Sequence, residues 1–161
     1  MHQRSTPLLE PALEARLHAI LRRRSLLVGL GHPLRGDDAF GLQLAAHLAP
    51  RASFPCIEAG PAPENHLGRI LAHEPETVVF ADAVQLGRPP GHLALFGLAE
   101  IARHGLSPHE LSVDLSMAYL GEHSTAHMWM LALQPATLDL GAPLSPRVKI
   151  TLEALTGSLL P

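Results

Sequence analysis

Four carboxylates and one imidazole in this chain stand out by position. Asp37 and Asp38 follow the apolar run at 25–30, Glu58 ends a second run, and Asp82 ends a third, Val78-Val79-Phe80-Ala81. His109 falls in the first turn of a segment that opens like a helix. If the runs are parallel strands, these groups gather beyond the strands' carboxyl ends, where open α/β sheets bind their ligands. Two carboxylates and an imidazole drawn from three segments make a mixed oxygen and nitrogen donor set. Such a set suits a divalent ion that keeps positions open for substrate or water. The single cysteine, Cys56, excludes an internal disulfide and every multi-thiolate site.

Each residue also has a plainer reading. An aspartate placed like Asp38 is more often a helix cap than a metal ligand, although a cap needs only one of the adjacent pair. A carboxylate at the rim of a buried strand, as Asp82 would be, needs a partner of some kind. His109 is one of eleven histidines, and none of them pairs at H-E-x-x-H or H-x-x-E-H spacing. The glycine-rich turn from Gly29 to Gly41 invites a dinucleotide reading with Glu58 on the ribose. However, Leu34 stands where the third glycine of G-x-G-x-x-G belongs, and Pro33 stiffens the turn where a phosphate would approach. No G-x-S-x-G elbow or P-loop lysine occurs.

The elements that must position these residues alternate between the two periods. Strands are expected at 25–30, 54–58, 77–81, 92–96 and 128–133, several of them apolar enough to be covered on both faces. Helical patterns fall at 40–48, 64–72, 108–120 and 146–155. That order predicts an α/β fold, a three-layer α/β/α sandwich around a twisted, five-stranded, mixed and mostly parallel sheet. The Pro/Gly link from Gln85 to Gly91 is too short for a helical crossover, so the strand after it should run antiparallel to its predecessor. Ser107-Pro108-His109-Glu110 reads as a capping box, and Ser145-Pro146 repeats the Ser-Pro start. An amphipathic helix is expected over 11–23, with Leu9, Leu13, Leu17, Ile20 and Leu21 on one face, docked on the domain.

The 161 residues predict one domain, with a helical extension at 1–24 and the α/β core at 25–161. Hydrophobic residues make up 47% and charged residues 17%, which excludes long disorder. The formal charge of −3 provides no basis for nucleic-acid affinity, although partial protonation of eleven imidazoles would reverse its sign. The arginines at 22–24 precede an apolar run that is soon broken by His32, Pro33, Arg35, Asp37 and Asp38, so no export signal forms. No run is long enough to span a membrane. A cytoplasmic monomer is the expectation.

Together these segments resemble the nickel–iron hydrogenase maturation endopeptidases. The resemblance lies in GLGHPLRGDDAFG, IEAGPAPEN (57–65), VVFADAV (78–84), SPHELS (107–112) and LQPATLDLGAPLSP (133–146), in order and at that family's spacing. Matched position by position, it implies that Asp38, Asp82 and His109 are the catalytic, metal-binding residues. It further implies a protease that removes a short C-terminal extension from the hydrogenase large-subunit precursor after nickel insertion. The nickel would be the substrate's rather than a resident cofactor, and another divalent metal could stand in for it in vitro. The chain departs from the family at His32, where asparagine is usual, at Ala39, where glycine is common, and in its N-terminal helix. His32 could add a ligand or replace an amide hydrogen bond. With Asp38 and Asp82 engaged on the metal, Asp37 remains as the nearby candidate for a general base. A non-catalytic checkpoint that binds the precursor and a degenerate dinucleotide oxidoreductase are the alternatives.

Overall fold

The computed structural model describes residues 9–22, 24–104 and 111–161. Strands β1 (Ser25–Leu30), β2 (Cys56–Gly60), β3 (Thr77–Ala83), β4 (Leu93–Gly97) and β5 (His127–Leu133) form one sheet in the order β2-β1-β3-β5-β4. The first three pairings are parallel and β4 lies antiparallel on β5. The expected α/β class with a mixed, mostly parallel sheet is therefore present.

Burial explains the apolar runs. All six residues of β1 are buried, as a strand covered on both faces requires. Leu27, Val79 and Ala81 pack with residues of α1 (Pro11–Ile20), α2 (Phe40–Leu48) and α6 (Pro146–Leu159). On the opposite face, Leu26, Val28, Val78 and Phe80 pack with residues of α3 (Leu67–Ala72), α4 (Leu98–His104) and α5 (Leu111–His123).

β4 runs antiparallel to β3, as expected, and β5 lies between the two. Composition accounts for the order. The MWMLAL run of β5 is mostly buried and fits an inner position, whereas β4 is only alternately buried and fits an edge. α1 stops at Ile20 rather than Arg23, because Leu21 leaves the helical region with ψ 69° and the chain reverses through Arg24 at φ 61°. Its apolar face docks as expected: Leu9, Leu13, Leu17 and Leu21 join the core that α6 also lines. Polar contacts flank that face. Ser158 Oγ lies 3.0 Å from His18 Nε2 and donates to Glu14 Oε1 at 2.9 Å, and the Arg16 guanidinium lies over the Trp129 ring. The sequence carried no strong start signal for α4. Its first turn is tied back locally, with the Gly97 N–H donating to Glu100 Oε1.

Candidate active site

The strand order creates one switch point. From β1 the chain passes through α2 on one face to β2 at the sheet edge, then returns through α3 on the other face to β3. The carboxyl ends of β1 and β3 are thus neighbours from which connections diverge, which leaves a crevice there. Asp38 sits on the turn that leaves β1, and Asp82 is the penultimate residue of β3.

The glycines of the first motif let this turn close against the sheet. A Cβ on Gly41, in the first turn of α2, would lie 2.0 Å from the Ala81 carbonyl oxygen of β3. A Cβ on Gly31 would lie 1.8 Å from the Asp38 carbonyl oxygen, and Gly31 also has φ +113°. Protein backbone therefore fills the space that a dinucleotide reading reserves for pyrophosphate. The motif is explained by close helix–strand packing. Asp38 is half-buried, and its Oδ2 accepts the His32 N–H at 2.8 Å; no described residue claims Oδ1. The His32 side chain turns inward on its own loop, with Nδ1 accepting the Leu34 N–H at 3.1 Å. An asparagine side chain can make the same bond to the residue two places on, so this ring nitrogen serves the local turn.

Asp37 has a different environment from its neighbour. It is fully buried, and both oxygens accept hydrogen bonds from the far end of the chain. Oδ2 accepts from Ala136 N at 2.8 Å, Thr137 N at 3.1 Å and Ser145 Oγ at 2.8 Å, while Oδ1 accepts from Ser145 N at 2.7 Å. A carboxylate with no exposed surface and four donors cannot collect a proton from substrate, so Asp37 is not the general base. Neither aspartate caps a helix, and Ser145 starts α6 without a side-chain cap, its hydroxyl donating to Asp37.

Asp82 is 6% exposed, and its Oδ1 accepts the Ala83 N–H at 2.8 Å. By strand alternation it shares the face of Val78 and Phe80, against which α5 packs through Val113, Met117 and Leu120. α5 also touches the short turn at Pro63–His66 beyond β2 and runs back to feed β5. Its first turn therefore lies toward the carboxyl edge of the strands. His109 and the expected capping box lie outside the described residues. Among the described residues no three His, Cys, Asp or Glu side chains form a cluster. Glu58 is exposed and lies within β2, beside Gly29.

Sequence reasoning passed over Gln134, which is 6% exposed just beyond β5. Its Oε1 accepts from Leu86 N at 2.6 Å and more weakly from Arg88 N, while Nε2 donates to Gln85 Oε1 and Pro135 O. A bare amide at the end of an apolar strand was the available signal. Burial pushes the Cys56 thiol up to about 11, which keeps it protonated at neutral pH and out of nucleophilic chemistry.

Known proteins share this fold. Residues 41–161 match the model of a family described as hydrogenase maturation protease, a span that contains Asp82 and His109 and begins just after Asp38. The chain is 26% identical over 133 residues to the hydrogenase 3 maturation protease of Escherichia coli K12, covering 81% of this chain and 85% of that protein. It is 29% identical over 136 residues to the hydrogenase expression/formation protein HupD of Bradyrhizobium diazoefficiens, covering 78% and 70%. The crystal structure of a [NiFe] hydrogenase maturation protease, HycI from Thermococcus kodakarensis KOD1, superposes with a TM-score of 0.78 at 28% identity, covering 91% of this chain and 94% of that one.

Proposed function

Because the chain belongs to the hydrogenase maturation protease family, we propose that it removes the C-terminal extension of a nickel–iron hydrogenase large subunit after nickel insertion, with Asp38, Asp82 and His109 meeting the metal. Family membership makes the chain a hydrogenase maturation endopeptidase that acts on the large subunit. Nickel as the mark of a ready precursor, and the three residues that meet it, are our reading. What supports it most is that Asp38, on the turn that leaves β1, and Asp82, near the end of β3, belong to neighbouring strands at the switch point, with one Asp38 oxygen left unclaimed by any described residue.

The donor set fits the task. Carboxylate oxygens and an imidazole nitrogen are acceptable ligands for a divalent first-row metal, and three of them leave positions for the precursor's own ligands and for water. The metal arrives with the substrate; it can polarise the scissile carbonyl or acidify a bound water. The protease's part is to hold its carboxylates in place and to seat the extension beside them. The hydrogen bond from the His32 amide orients Asp38, and the Ala83 amide orients Asp82. Both bonds limit the ordering cost of assembling a site from separate segments.

The test is processing of a nickel-loaded large-subunit precursor by the wild-type chain and by Asp38→Ala, Asp82→Ala and His109→Ala. Each variant should leave the extension in place. Full processing by all three would remove the proposed site.

A further inference from the structure

We propose that Asp37 is a positioning residue, a buried latch that places Asp38 by tying its turn to the segment from Ala136 to Ser145. The inference rests on Asp38 acting on the substrate, as proposed above, and adds how the fold holds that residue in place. The motif at 133–146 was singled out in the sequence without a role, and the structure assigns it one.

Asp37 collects donors 99 to 108 positions away in the chain, two backbone amides on one oxygen and the amide and hydroxyl of Ser145 across both. Backbone bonds run beside these: Asp37 N donates to Thr137 O at 2.9 Å, Gly36 N to Ala142 O at 3.1 Å, and Gly141 N to Leu34 O at 2.7 Å. The two segments thus lie together as a small ladder with the carboxylate at its centre. Asp38 is the next residue. Its chain is held before it by this ladder and after it by Phe40, which is fully buried at the start of α2. Its side chain is held by the His32 amide. A polar network with every member satisfied resists rotation about its bonds, so the direction of Asp38 follows from the latch.

Asparagine at position 37 is nearly the same size but replaces one acceptor oxygen with a donor. Whichever way the amide turns, an N–H group faces N–H. In Asp37→Asn the turn should therefore shift while the core remains packed. A displacement of the order of an ångström at a reacting group costs about tenfold to a hundredfold in rate.

The experiment combines precursor processing with amide NMR of the full-length chain. In Asp37→Asn we expect cooperative melting, processing slowed about tenfold or more, and a displaced His32 amide resonance, with Val79 and Phe80 unmoved. Wild-type processing by a folded Asp37→Asn overturns the proposal. So does slowed processing with an unmoved His32 amide, since Asp37 would then not act through Asp38. If Asp37→Asn does not fold, Ser145→Ala removes only the hydroxyl donor and should shift the same amide and slow processing about threefold; no change in either overturns the latch. The parallel Asp38→Ala measurement separates the two readings. Full processing by Asp38→Ala sinks the site, whereas an inactive Asp38→Ala beside a normal Asp37→Asn sinks only the latch.

Discussion

The two edges of the sheet use the same kinds of residue in opposite ways. At the carboxyl edge, Asp37, Asp82 and Gln134 are buried and bonded into the loops around them. At the amino edge, Arg24, Glu74, Glu76 and His123 line an open cleft of about 670 Å³, together with Leu71, Pro75, Ser124 and Thr125. Arg24 pairs with Glu76 at 3.2 Å, and both side chains are more than half exposed. Water competes for the second set and not for the first. The contrast shows that burial, rather than residue type, makes a polar group hold loops in place, which the site proposed above requires of its three segments.

The largest effect should come from the groups proposed to face the substrate. Asp38→Ala and Asp82→Ala are each expected to slow precursor processing about a thousandfold, ~4 kcal/mol in the barrier, measured by mobility shift of the large subunit. Next comes the close approach that seats the Asp38 turn. Gly41→Ala would press a methyl group into the Ala81 carbonyl, and urea unfolding should report a loss of about 3 kcal/mol. Gln134→Leu leaves the Leu86 amide without its acceptor at 2.6 Å, for a cost of about 2 kcal/mol in the same assay. At the other edge, Arg24→Ala should cost less than about 1 kcal/mol, and salt should abolish the difference. An Arg24→Ala loss as large as that of Gln134→Leu would end the distinction between the edges.

A smaller test concerns β2, the strand at the sheet's side. The folded Cys56 thiol holds its proton up to about 11, against an ordinary 9.0. A pKa raised by folding contributes stability that is fully present below the ordinary value and is lost as pH rises through 9 toward 11. The melting temperature should therefore decline over that window less in Cys56→Ala than in the wild type. Alkylation of the folded chain at pH 8 should be slow.

Much of the fold was legible because its signals are local. The apolar run of β1, the alternation of strand and helix, and the Ser-Pro start of α6 depend on neighbours within a few residues, and β1 and α2 appear at the expected bounds. Pairing of β4 was not legible, since which strand receives an edge partner depends on how the whole sheet sorts by burial. Of the candidate site, the Asp37-Asp38 pair and Asp82 could be picked out from their places after strands, and the choice of Asp38 within the pair came from the resemblance. Asp37 could not be distinguished from Asp38, because the difference between them lies in Ala136, Thr137 and Ser145, a hundred positions along.

By itself, the sequence determined the layered α/β architecture, the excluded chemistries and the resemblance to hydrogenase maturation proteases, all carried by residue type and short-range spacing. Tertiary structure alone decided which member of the Asp37-Asp38 pair is buried, which loop holds the turn, and that the glycines serve backbone contact rather than a nucleotide. Those outcomes depend on desolvation and on hydrogen-bond donors from distant segments. Neither acts until the chain has folded, because an unfolded carboxylate is hydrated the same way at position 37 as at 38.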